Sequence, residues 1–147
     1  MLTPIRVLIV EDDPKVRRAL RMRFQLEPTI DIVGEADDGP TAIELSVALR
    51  PDVVLLDLNL PGMDGVSVCY ALRSHAAAVV VLSMYETATV RARCLAAGAS
   101  TFVAKQDRMS VLLSAIHAAL GPTPPYAPGS EVRESTPIPS TPCETQL

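Results

Sequence analysis

Val53-Val54-Leu55-Leu56-Asp57-Leu58-Asn59-Leu60-Pro61-Gly62-Met63-Asp64-Gly65 runs four aliphatic residues straight into an aspartate and then into a Pro-Gly turn. A run that is apolar at every position, without alternation, reads as a strand covered on both faces, as in a parallel sheet. Asp57 then stands where that strand leaves the core. In open α/β sheets the carboxyl ends of strands are where ligands and chemistry gather. A carboxylate there is a ligand, a nucleophile or a cap, and the flanking sequence has to decide which.

Outward from this stretch the same pattern recurs. Ile5 to Val10 is a β-branched run ending in Glu11-Asp12-Asp13, Ala78 to Leu82 ends in Ser83, and Thr101 to Ala104 ends in Lys105. Ile30 to Ala36 alternates more, which predicts an edge strand. Between these runs the apolar residues fall at helical spacing. Pro14 opens the first helix behind Asp13 as N-cap, and Pro28 closes the segment. The second helix is expected over Thr41 to Leu49, after a turn at Asp37-Asp38-Gly39-Pro40. The third starts at Asp64 or Gly65 and packs through Val66, Cys69, Tyr70 and Leu72. The fourth is expected from Glu86 to Ala97, ending at Gly98. The last runs from about Arg108 to Leu120 with Val111, Leu112, Ala115, Ile116 and Ala119 on one face. Five strands alternating with five helices predict a flavodoxin-like (βα)5 fold, a doubly wound parallel sheet. The three most apolar strands belong in the middle, which gives the strand order 2-1-3-4-5.

A chain of 147 residues holds one such domain, placed over residues 1–120. Beyond Gly121 the composition changes. The last 27 residues carry 7 of the 13 prolines and no aliphatic periodicity, so residues 121–147 read as a Pro-rich, disordered tail. A net charge of −4 leaves no overall basic footprint for nucleic acid or anionic membrane. No apolar stretch approaches the roughly 20 residues that cross a bilayer. The three cysteines have no metal-ligand spacing, and two fall in helical segments, as reduced packing thiols would. A cytoplasmic location follows as the expectation.

In a parallel sheet the strand ends lie on one side, so Glu11, Asp12, Asp57, Ser83 and Lys105 converge on one crevice. Three carboxylates alone would repel and raise one another's pKa. A hard divalent cation relieves that, and Mg²⁺ typically takes one or two carboxylates plus water and phosphate oxygens. A hydroxyl and a lysine are the donors suited to a phosphoryl group's remaining oxygens. The residues therefore point to Mg²⁺-assisted phosphoryl transfer onto Asp57 as nucleophile.

The set Val10-Glu11-Asp12-Asp13-Pro14, Leu56-Asp57 through Asp64-Gly65, Leu82-Ser83 and Ala104-Lys105 resembles the receiver domain of two-component response regulators. The resemblance covers residues 5–120. Leu82-Ser83-Met84-Tyr85 and Ala96-Ala97-Gly98-Ala99-Ser100 resemble the NarL/FixJ type in particular. One departure from the commonest pattern is Gln106, where a proline usually follows the lysine. The resemblance implies that Asp57 is phosphorylated from a phosphohistidine of a sensor histidine kinase or phosphotransfer protein. It implies that Asp12 and Asp57 bind Mg²⁺ directly together with the backbone carbonyl of Asn59, and that Glu11 acts largely through water. Ser83 matches the switch hydroxyl, Lys105 the phosphate-binding lysine and Phe102 the switch aromatic. Phosphorylation would then bias a face made of the fourth helix, fifth strand and fifth helix, which binds an unidentified downstream protein or a second copy.

The chain stops after the tail, so it reads as a stand-alone receiver rather than an enzyme, assisting only its own phosphorylation and dephosphorylation. Receivers of this type usually continue into a helix-turn-helix effector, so the alternative is the receiver part of a DNA-binding regulator whose effector is missing. A phosphatase of the haloacid-dehalogenase kind is disfavoured. It would need a second aspartate two residues after the nucleophile, and Asn59 stands there. Arg17, Arg18 and Arg21 on the first helix form either a solvated face or a docking face for the kinase.

Overall fold

The computed structural model describes residues 3–75, 77–84 and 87–120. Strands β1 (Ile5–Val10), β2 (Ile30–Ala36), β3 (Val53–Asp57), β4 (Ala78–Ser83) and β5 (Thr101–Ala104) alternate with helices α1 (Pro14–Phe24), α2 (Gly39–Leu49), α3 (Gly65–Leu72), α4 (Ala88–Ala96) and α5 (Met109–Ala119). The strands form one sheet in the order β2-β1-β3-β4-β5, every neighbouring pair parallel. The expected fold and strand order hold, with β2 and β5 at the edges.

The alternation of side chains divides the core into two layers. Leu8, Val10, Val54, Leu56, Val79, Val81 and Phe102 pack under α2, α3 and α4, against Ala42, Val68, Cys69, Leu72 and Cys94. Val7, Ile9, Val53, Leu55, Val80, Leu82 and Val103 pack on the other side, against Phe24 of α1 and Leu112 and Ile116 of α5. Every residue of β3 is buried, Asp57 included. Covering both faces is what the unbroken run 53–56 requires.

Polar caps fix where the helices start, and hence where the loops carrying the strand-end residues lie. Asp13 accepts from the Lys15 amide at 2.9 Å, Asp38 from Thr41 at 2.8 Å, Asp64 from Ser67 at 3.1 Å and Thr87 from Val90 at 3.1 Å. Gly39 and Pro40, expected in a turn, are the first residues of α2, because Pro40 fits the first helical turn behind the Asp38 cap. The helix α4 begins at Ala88 behind its Thr87 cap, and its expected start at Glu86 lies outside the described residues. Gly98 has φ +110, the left-handed turn expected there, which L side chains rarely adopt. Two residues expected to pack inward do not: Tyr70 and Val111 are exposed. Tyr70 instead lies beneath the Arg73 guanidinium, 4.0 Å from its ring centroid. The segment 121–147, expected to be disordered, also lies outside the described residues.

Gly65, the first residue of α3, sits against the loop that leaves β3. A Cβ there would stand 2.9 Å from the Leu58 Cα, a backbone atom that cannot rotate away. Gly65→Ala is expected to cost about 1–3 kcal/mol, as overpacking does. Urea unfolding of the two proteins measures it, and an unchanged midpoint would show that the loop yields freely.

Candidate functional site

The carboxyl ends of β1, β3, β4 and β5 form the floor of the site. Ligand oxygens of Glu11, Asp12 and Asp57 all lie within 4.8 Å of one another, a separation that one cation can bridge. Glu11 and Asp57 are each 2% exposed, whereas Asp12 is open to solvent. The Lys105 ammonium reaches between the two buried acids, 3.0 Å from Glu11 Oε1 and 3.1 Å from Asp57 Oδ2. Glu11 Oε1 is fully buried, with the ammonium against it. The other Asp57 oxygen, Oδ1, accepts from the Asn59 amide at 3.2 Å.

Burial raises the Glu11 pKa from 4.5 to about 7, helped by neighbouring Asp57 and opposed by Lys105. Burial alone would pull Lys105 down, but the hydrogen bond to Glu11 and the charge of Asp57 outweigh it and hold Lys105 above its ordinary range. The site is thus a buried, charge-crowded pocket in which one ammonium serves two carboxylates. Three carboxylates whose oxygens lie within bridging distance, with an open face at Asp12, form a donor set that fits a hard divalent cation such as Mg²⁺.

Of the residues singled out by sequence, Glu11, Asp12, Asp57 and Lys105 meet, and the Asn59 amide touches Asp57. Lys105 lies one residue past β5, not within it, where its own amide donates to the Ser83 carbonyl at 2.9 Å. Ser83 is buried at the end of β4 and lines a groove of about 490 Å³ with Leu58, Asn59, Asp64, Thr87, Val90 and Arg93. Phe102 does not join the carboxylates. It lies within the α2–α3–α4 layer of the core, with the Arg91 guanidinium 5.8 Å from its ring centroid.

Two residues of the site's surroundings were not legible as such. Arg17, expected on a solvated or docking face, turns inward: its Nη1 donates to the Glu11 carbonyl at 2.7 Å and its Nε to Glu35 at 3.1 Å. Glu35 carried no signal because β2 was read as regular alternation. The β1–β2 register shifts by one residue between Val7 and Leu8, where Val7 faces Ile32 but Leu8 faces Gly34. That bulge moves Glu35 to the face of the sheet that α1 covers.

An acidic triad and a lysine stand at the carboxyl edge of a five-stranded doubly wound sheet, and comparison with known proteins identifies the family of that fold. Over residues 7–117 the chain matches, and belongs to, the response regulator receiver domain family of two-component signalling. It is 39% identical over 118 residues to the nitrate/nitrite response regulator NarP of Escherichia coli K12, covering 79% of this chain and 55% of that one. It is 35% identical to the transcriptional regulatory protein NarL of Mycobacterium tuberculosis H37Rv, covering 76% and 53%. The chain therefore spans about half the length of these relatives. Among solved structures, the receiver domain of Mycobacterium tuberculosis NarL superposes with a TM-score of 0.76 at 33% identity, covering 82% of this chain and 99% of that one. A chain of the CheX–CheY–BeF3–Mg²⁺ complex of Borrelia burgdorferi gives a TM-score of 0.73 at 28% identity, with coverages of 78% and 88%. The similarity to NarL and NarP bears out the NarL/FixJ type. Among the described residues, no helix is long and apolar enough to cross a membrane.

Proposed function

We propose that this chain is a phospho-accepting switch, with Asp57 taking a phosphoryl group from the phosphohistidine of a sensor kinase or phosphotransfer protein. The observation that carries this reading is the Asp57 carboxylate itself. It is 2% exposed at the mouth of β3, gripped by Lys105 on one oxygen and the Asn59 amide on the other, beside two further acids. Glu11, Asp12 and Asp57, with the Asn59 carbonyl, would hold Mg²⁺, which supplies neutralisation of the charge on the transferring phosphoryl oxygens. A carboxylate oxygen of Asp57 forms the new P–O bond as the P–N bond to the donor imidazole breaks. Lys105 exchanges part of its pairing with Asp57 for the incoming phosphoryl oxygen, and Ser83 donates its hydroxyl to another. The two grips on Asp57 limit the orientations it must search, which is where positioning lowers the barrier.

Asn59 leaves no carboxylate two residues beyond the nucleophile, so the site holds a phosphoryl group rather than turning over substrates. Phosphorylation then biases Ser83 and the inward Phe102, and with them the face of α4, β5 and α5. That face receives a downstream protein or a second copy, and α4 and α5 each leave a large apolar side chain in solvent, Leu95 and Val111. A cytoplasmic location suits a partner of a kinase.

Incubation with Mg²⁺ and acetyl phosphate, read by intact mass, tests the proposal. Wild type is expected to gain one phosphoryl group and Asp57→Asn none. No adduct on wild type at saturating Mg²⁺, or an equal adduct on the variant, would overturn it. A second reading, the receiver part of a DNA-binding regulator, is favoured by the relatives NarP and NarL, of which the chain matches about half.

A further inference from the structure

The Arg17 side chain joins two places that the sequence leaves unconnected. Its Nη1 donates to the Glu11 carbonyl at 2.7 Å, and its Nε donates to Glu35 Oε1 at 3.1 Å. Glu35 is itself held by Arg21, 2.8 Å from its second oxygen. Both side chains of the inner pair are about three-quarters covered, at 22% and 25% exposure, so this is more than a surface ion pair.

The carbonyl that Arg17 grips belongs to the peptide unit joining Glu11 to Asp12. The other backbone group of Glu11, its amide, is tied to the Ala36 carbonyl at 2.9 Å. Its side chain receives the Asp13 amide at 3.2 Å. Without Arg17 the carbonyl of the 11–12 peptide loses the side-chain hydrogen bond that orients it, while the groups on either side stay tied. Turning that peptide plane would swing Asp12, the solvent-open acid of the triad, away from Asp57.

We propose that Arg17 is a positioning residue of the acidic site, anchored by Glu35, that fixes the Glu11–Asp12 peptide plane so that three carboxylates face one cation. This rests on the Mg²⁺ site of the phospho-acceptor reading. The β2 bulge is part of the device, because it presents Glu35 to α1.

The sign of a binding change separates positioning from mere charge. Deleting a cation near an Mg²⁺ site strengthens metal binding by Coulomb's law, whereas loosening the ligand frame weakens it. Calorimetric titration of Mg²⁺ into the full chain is expected to show Kd raised about tenfold in Arg17→Met, the scale of lost outer contacts at metal sites. Glu35→Gln should weaken binding through the same anchor, and the double variant should add little. Lys15→Met removes the same charge from the exposed side of α1 and should leave Kd near wild type or tighten it. Arg17→Lys, which keeps the charge but lacks the fork that spans both partners, should fall between. It serves in place of the methionine variant if that one does not fold. Wild-type binding with Kd unchanged or lowered in Arg17→Met and Arg17→Lys would overturn this inference alone. Absence of Mg²⁺ binding in wild type would overturn the phospho-acceptor reading and this one with it.

Discussion

Lys105→Met is expected to destabilise the metal-free protein in a pH-dependent way, costing about 3 kcal/mol at pH 8 and clearly less at pH 5.5. In the folded chain this ammonium is 3.0 Å from Glu11 and 3.1 Å from Asp57, both 2% exposed. Removing it leaves two buried carboxylates side by side. Glu11 sets the pH window. Burial lifts its pKa from 4.5 to about 7 even with the lysine in place. A carboxyl whose folded pKa lies above its unfolded value contributes fully below the unfolded value. That contribution is lost as pH rises through the folded one. Without Lys105 the folded pKa climbs further, so the loss becomes larger in the variant at the alkaline end. At pH 5.5 Glu11 is mostly protonated in both proteins, and only the pairing with Asp57 is missing. Urea unfolding in a chelating buffer at the two pH values measures the difference. An equal deficit at both would mean that Glu11 does not carry it.

Leu56→Ala is expected to remove about 2–5 kcal/mol, a large share of the ~5–15 kcal/mol that holds a domain together. Leu56 is fully buried in the central strand, paired in register with Val10 on one side and Val81 on the other. Its side chain packs in the layer beneath α2, α3 and α4. The residues of that layer come from several strands and helices, so the vacated volume cannot close by moving one of them. The urea midpoint should fall while the slope stays constant, because the surface exposed on unfolding barely changes. Val111→Ala is the comparison, since Val111 is 45% exposed and should cost within about 0.5 kcal/mol. Similar costs for the two would contradict the burial on which the sheet order rests.

What the sequence disclosed and what it withheld have physical causes. The run 53–56 was decisive because an apolar run with no alternation needs cover on both faces, as a central strand has. The carboxyl-edge residues followed, since parallel strands share one direction. Caps such as Asp13 and Asp64 act over two or three residues and are equally local. The α2 start was misplaced because Pro40 suits both a turn and a first helical turn, and only packing distinguishes them. Tyr70 and Val111 had helical spacing relative to one or two buried neighbours but turn away from the buried residues of their helices. Arg17 and Glu35 escaped because their meeting depends on a one-residue register slip at an edge strand, which leaves no mark on composition or period.

The two-layered core has a consequence for how the domain comes apart. Along β1, β3 and β4, successive residues serve opposite layers: Val7 and Ile9 one, Leu8 and Val10 the other, with Leu55 and Leu56 or Val80 and Val81 repeating the division. Neither layer can lose its floor without the same backbone dissolving under its counterpart. Partial melting of α1 and α5 alone would strand a sheet still solvated on one side, with Ile9, Leu55 and Val80 in water. The sheet thus acts as a shared keel, and the described domain is built to unfold in a single concerted transition rather than layer by layer.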